Sequence, residues 1–245
     1  MSRTLKGVLV LTLLAFLPRP ALGYKAAAVS NGGAVAGRVT FKGKAPPPVK
    51  ILITKDRAAC GKGQIVRREV DVKDGALRGV VVFLDKVKQG KPFAKETLNP
   101  VIDQRKCAYV PYLQVGAKGA NVTILNSDPV HHNIHTYELI GTARRSMWNV
   151  SQPKFKKKVR KKLRVRRGNA IRIECDVHNW MLGWMFVAKN PYYAIVGEDG
   201  TFRIADVPPG RYTLKAWHPT LGTQKKTITV PAGGKAEAAF AFAAK

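Results

Sequence analysis

Turn-forming residues punctuate this chain at short intervals, and the runs between them are short and β-branched, a pattern that points to β-sheet throughout. Gly37-Arg-Val-Thr-Phe-Lys-Gly43 is bounded by glycines and followed by Pro46, Pro47 and Pro48. Val49 to Thr54, Gly79 to Leu84, Asn121 to Leu125 and Ile171 to Cys175 read as strands, as do Thr201 to Ile204, Tyr212 to Trp217 and Thr227 to Val230. Asp74-Gly75, Asp199-Gly200, Pro208-Pro209-Gly210 and Gly233-Gly234 supply turns between them. No stretch holds a helical period, so the expected class is all-β, built as β-sandwiches.

The first residues stand apart from that pattern. Arg3 and Lys6 precede an apolar run from Gly7 to Leu17, then Pro18-Arg19-Pro20, then the small residues Ala21 and Gly23. This order matches a secretory signal over residues 1–23, and the run is too short to span a bilayer. A retained anchor or a buried helix is the competing reading. An exported protein, periplasmic or secreted, is therefore expected. The remainder is long enough for one large or two small domains.

Charge is the unusual part of the composition: 43 Lys and Arg against 15 Asp and Glu, a formal net charge of +28. A surface of that kind attracts acidic proteins, anionic lipid or polysaccharide, or nucleic acid. The three cysteines are informative through their parity. In an oxidising compartment two pair and one is left over. Cys60 and Cys107 lie in plain surroundings and are read as the disulfide. Cys175, with histidine and methionine close by, is the one that needs explaining.

Cys175-Asp-Val-His178-Asn-Trp-Met181 places a thiolate, an imidazole and a thioether on one tight loop behind a strand. Soft sulfur combined with imidazole selects copper, and two His, one Cys and a weak axial Met describe a mononuclear redox site. A second histidine is available upstream, where the strand from Asn121 runs into Pro129-Val-His131-His132-Asn133-Ile-His135.

Together these segments resemble the cupredoxins, most closely amicyanins, in which the first copper histidine is followed by asparagine and the second loop has the form Cys-x-x-His-x-x-Met. The resemblance spans roughly residues 116–188. It implies a Greek-key β-sandwich with one type 1-like copper site, its ligands His132, Cys175, His178 and Met181. It also implies that Asn133 ties the two ligand loops together by hydrogen bonds. The stretch Gly197 to Leu214 resembles the second half of a carboxypeptidase regulatory-like (transthyretin-like) sandwich, and Gly37 to Thr40 with Gly79 to Leu84 resembles the first half. The expected layout is N-terminal strands over 24–95, a copper module over 96–189 inserted between the halves, and a C-terminal part over 190–245. Two consecutive sandwiches are the alternative.

Other readings of these residues remain open. Cys175 could form a structural disulfide, or bind zinc with His178 and Asp176, although methionine is not among zinc's usual ligands. His131 could replace His132. His135 and His218 read as buried, surface or turn histidines, with a second metal site as the alternative. Trp180 and Trp184 would shield the metal or form an electron-entry patch, and Met185 reads as core.

The run Lys154 to Arg167 holds ten basic residues in fourteen. Val159, Leu163 and Val165 suggest a ribbon with a cationic outer face, on which Lys156, Lys157, Lys158, Arg160, Lys161, Lys162 and Arg164 would steer an acidic redox protein or another anionic surface. Few interleaved aromatics and the export signal speak against nucleic acid. The sequence thus predicts a one-electron carrier rather than an enzyme. A copper delivery or storage protein, or a basic structural β-protein, are the alternatives.

Overall fold

The computed structural model describes residues 23–244. The signal read over 1–23 lies outside them apart from Gly23. Among the described residues strands dominate, with two single-turn helices, Arg57–Cys60 and Lys95–Leu98. No helix among the described residues is long and apolar enough to cross a membrane.

Two sandwiches share the chain. The first draws on both ends of it. Strand Gly33–Lys42 pairs antiparallel with Thr201–Val207 and parallel with Lys235–Ala243. The facing sheet sets Val81–Leu84 between Tyr193–Ile195 and Gly210–His218, which continues into Gly222–Val230. The alternation expected of a half-buried strand is plain in Lys235–Ala243, where Ala236, Phe240 and Phe242 face the core. Gly37 is required by the parallel pairing: a Cβ there would sit 1.6 Å from the Ala238 carbonyl oxygen.

The second sandwich is built from residues 101–188. One sheet runs Ala108–Val110, Val101–Arg105, Asn121–Asn126, Lys158–Lys162. The other runs Leu113–Ala117, Leu182–Ala188, Ala170–Glu174, His132–Ile140, Ala143–Gln152. Leu182–Ala188 is buried at every position, and the reason is a second neighbour. Met185 and Val187 face the core of their own sandwich, whereas Leu182, Trp184, Phe186 and Ala188 meet Val81 and Trp217 of the first one. A strand covered on both faces loses its polar alternation. Trp184 therefore lies in the seam, its ring 6.2 Å from that of Trp217, and forms no surface patch.

The N-terminal segment departs from the expected grouping. Residues 49–67 form a hairpin, Val49–Leu52 with Gln64–Arg67, closed by the Arg57–Cys60 turn. They leave the first sandwich and pack Ile51, Ile53 and Ile65 against the core of the second. A Cys60–Cys107 disulfide fixes them there.

Candidate metal centre

His132 begins strand His132–Ile140, and Cys175 follows strand Ala170–Glu174 directly. The two strands are antiparallel neighbours, with His135 opposite Glu174, so both residues emerge at one end of the sheet. Tyr109 binds the strands below them: its hydroxyl lies 2.8 Å from the carbonyl oxygens of both Asn133 and Glu174, its proton shared between the two. Met181 closes the second loop, its N–H donating to the His178 carbonyl at 3.0 Å.

The donor atoms converge. His132 Nδ1 and His178 Nδ1 are 2.9 Å apart, and Cys175 Sγ is 3.8 Å from His178 Nδ1. All three side chains are buried, as is Met181, which packs in the same cluster with Trp180. A tetrahedral ion held by imidazole nitrogen and thiolate sulfur would set its N···N and N···S separations at about 3.3 and about 3.6 Å. The observed N···N distance of 2.9 Å is shorter than that target and the N···S distance of 3.8 Å slightly longer, so small shifts of the rings would seat the ion.

The far side of each ring decides what the near side offers. His132 Nε2 is 2.8 Å from Asp128 Oδ2, and His178 Nε2 is 2.8 Å from Asp56 Oδ2. Carboxylates accept and do not donate, so each Nε2 carries a proton, and a neutral ring held this way presents its Nδ1 lone pair to the cluster. With both rings neutral, two lone pairs facing each other at 2.9 Å in a buried site repel. A cation between them converts that repulsion into ligation, with the carboxylates orienting both imidazoles. Burial lowers the pKa of His132, with Asp128 opposing and His178 adding to the shift, which favours the neutral ring a metal needs. Burial likewise raises that of the Cys175 thiol, against N–H donors from Asn133, His178 and Val177.

Asn133 joins the two loops. Its Oδ1 accepts from the Asp176 N–H at 2.6 Å, its Nδ2 donates to Asp176 Oδ2 and Asn149 Oδ1, and its own N–H points at Cys175 Sγ, 3.5 Å away. Asp176 is turned away from the donor cluster, towards His135. Desolvation raises its pKa, but hydrogen bonds from His135, Asn133 and Asn149 outweigh that and lower it. A second grouping, Cys107 with Asp128 and His132, offers no separate site. Cys107 is spent in the disulfide, and the Asp128 oxygens accept from the backbone of Lys106 and Cys107.

Cys60 is not in plain surroundings. Its Sγ lies 3.9 Å from His178 Nε2, so the disulfide clamps the 53–63 segment over the second histidine. Trp180 covers that ring from the other side, 4.9 Å between centroids. His178 is fully buried as a result. Asp56, Asp128 and Tyr109 escape a reading of motifs. Asp128 had the signal of lying four residues before His132 on the same loop; Asp56, 122 residues from His178, had none.

The remaining histidines lie elsewhere. His131 is exposed and 2.9 Å from Ser151 Oγ. His135 is half-buried among Asp176, Ser146 and Tyr137. His218 is buried at the end of strand Gly210–His218, its Nδ1 accepting from the N–H groups of Thr220 and Leu221 just beyond it, and burial pushes its pKa down to about 4.

The basic run forms an edge strand and the loops around it. Lys156, Lys157, Lys158, Arg160, Lys162 and Arg164 are exposed and Lys161 half-buried, while Leu163 and Val165 point inward. Glu138, fully buried, anchors its end. Desolvation raises the pKa of this carboxyl, but Arg145 and the N–H groups of Arg166, Arg167 and Gly168 outweigh it and bring it to about 2.

No curated protein sequence matches the chain. Solved structures similar to part of it include a Cu-containing nitrite reductase from Thermus scotoductus SA-01, at 13% identity and a TM-score of 0.29, covering 36% of this chain and 22% of that one. A reduced Cu(I) form of an amicyanin variant matches at 22% identity and a TM-score of 0.29, covering 36% of this chain and 80% of that one. A purple cupredoxin from Nitrosopumilus maritimus matches at 22% identity and a TM-score of 0.27, covering 33% and 81%. At the other end of the chain, residues 187–243 match the family model of the carboxypeptidase regulatory-like domain, and they carry the last five strands of the first sandwich.

Proposed function

We propose that this protein is an exported carrier that holds one copper ion through His132, Cys175, His178 and Met181 and passes single electrons between extracytoplasmic partners. The observation that carries the reading is the convergence of His132 Nδ1 and His178 Nδ1, 2.9 Å apart, beside a buried thiol. Their Nε2 atoms are already committed to carboxylates. Soft sulfur with two imidazoles favours copper over zinc, and a buried methionine on the same loop strengthens that preference. Bound copper supplies a one-electron couple at this position.

The protein's own part is to keep the donors still and dry. Asp128 and Asp56 orient the imidazoles, Asn133 fixes the spacing of the two loops, and Trp180 with the 53–63 segment excludes water. A fully covered His178 favours retention of the ion over handing it on. The Cys60–Cys107 disulfide supports an oxidising compartment. The basic face is suited to an acidic redox protein or another anionic surface.

The test is Cu(II) loading of the purified protein, dialysis, and visible and electron paramagnetic resonance spectra. An intense visible band with narrow copper hyperfine splitting, absent in Cys175→Ser, is expected. Folded protein with a free Cys175 thiol that retains no copper would sink the reading. A protein that keeps copper but is not rapidly and reversibly reduced would instead be a storage or delivery protein.

A further inference from the structure

The end of the second sandwich that bears His132 carries a surface the metal chemistry does not use. Three loops are knitted together there. Asn126 donates to the carbonyls of Val130 and Gln152, Gln104 donates to Gln152 Oε1, and Lys106 N donates to Asp128 Oδ1. Gln152 in turn donates to the Lys156 carbonyl, and the Lys156 N–H closes a tight turn onto Pro153 at 2.8 Å. The third residue of that turn is Phe155, 81% exposed, the most exposed of the large hydrophobic residues. Fixed backbone on both sides holds its ring out into solvent.

Lys154, Lys156 and Lys157 flank Phe155 in the chain, and Arg105 and Lys106 lie where strand Val101–Arg105 ends, joined to Lys157 through Asp128; all five are exposed. Asp128, which joins this patch through Lys157, is buried, and Asp103 is half-buried with its Oδ2 accepting from Ser127, while the exposed Asp56 and Asp176 are engaged with His178 and His135. Lys157 Nζ donates to the Asp128 carbonyl at 3.0 Å, so the patch adjoins the carboxylate that orients His132.

We infer that this end docks on an anionic lipid surface, Phe155 entering the headgroup boundary while the surrounding cations bind lipid phosphates. Lysine is depleted in the cores of protein interfaces, and a lone protruding ring needs a matching pocket in a protein partner. A lipid interface receives such a ring without one, and attracts each nearby lysine. The inference does not depend on the copper reading, because the patch is complete without the ion.

The test is sedimentation of the whole protein, copper-free and copper-loaded, with vesicles of phosphatidylglycerol and phosphatidylcholine or of phosphatidylcholine alone. Binding only to the anionic vesicles is expected, in both metal states. Phe155→Ala is expected to weaken it about tenfold, and Lys154→Glu with Lys156→Glu about thirtyfold or more. The same charge change at Arg203 and Lys225, exposed on the other sandwich, controls for bulk charge and is expected to cost less than about threefold. In a separate arm, Phe155→Trp reports insertion through quenching by brominated lipid, beyond that of the native tryptophans. Binding weakened equally by both charge variants and untouched by Phe155→Ala would overturn the inference. So would failure to bind anionic vesicles, whether or not the patch then binds an acidic protein.

Discussion

Asp56 offers the sharpest test of how the centre is held. The carboxylate comes from outside the two ligand loops and accepts a hydrogen bond from His178 Nε2 at 2.8 Å. Asp56→Ala leaves an N–H donor on a ring with no exposed surface. Losing the outer partner of a ligating imidazole costs about 10–100-fold in metal affinity. The carboxylate itself is 39% exposed, so water can enter the space it leaves, and the loss belongs near the lower part of that range. About 1.4 kcal/mol corresponds to a tenfold loss of copper affinity. Asp56→Asn keeps an acceptor oxygen in place and should lose no more than about threefold. Competition against a chromophoric copper chelator measures both, and thermal unfolding of the metal-free variants checks that the fold is intact. If Asp56→Ala binds copper within twofold of the parent, the carboxylate does not orient the ligand and the argument from paired imidazoles loses half its support.

Two further outcomes follow from the geometry. His218 titrates at about 4 in the folded chain against 6.5 unfolded, so between those pH values the unfolded chain binds more protons and stability falls as the pH drops. The loss amounts to about 3 kcal/mol; urea titrations of the metal-free protein at pH 7 and pH 4 should show it, and His218→Asn, whose Oδ1 can replace Nδ1 as acceptor, should flatten that part of the slope. Replacing Cys60 and Cys107 by alanine opens a loop of 47 residues and should cost about 2–4 kcal/mol of stability. It should also hasten copper loss to an external chelator; an unchanged rate would mean the 53–63 segment covers His178 without the disulfide.

The strands were legible because their β-branched runs end at glycine and proline, and the Cys175 to Met181 loop was legible because its spacing is local. Leu182–Ala188 could be placed as a strand, but its burial on both faces depends on Val81 and Trp217, remote in sequence. The same holds for the cover over His178. Residues 49–67 look like any short hairpin, and what sends them to the second sandwich is the fit of Ile51, Ile53 and Ile65 into a core assembled elsewhere. Trp184 reads as a functional aromatic beside the ligands, yet its strand direction turns it into the seam between the sandwiches.

The parallel pairing of Gly33–Lys42 with Lys235–Ala243 has a consequence for synthesis. Thr40 and Phe240, in contact across this pair, are 200 residues apart in the chain. Every donor of the metal centre, its disulfide and its cover have emerged by the time residue 188 is made, whereas the first sandwich still lacks five strands. The metal-bearing half can therefore complete its core while the chain is still growing. One edge of Gly33–Lys42 can pair once Thr201–Val207 is made, but its other edge, and with it the apolar cover for Val35, Val39 and Phe41, waits for the final strand. Closure of the outer sandwich is the late, slow step of assembly, and the interval before it is when the chain is most prone to aggregate.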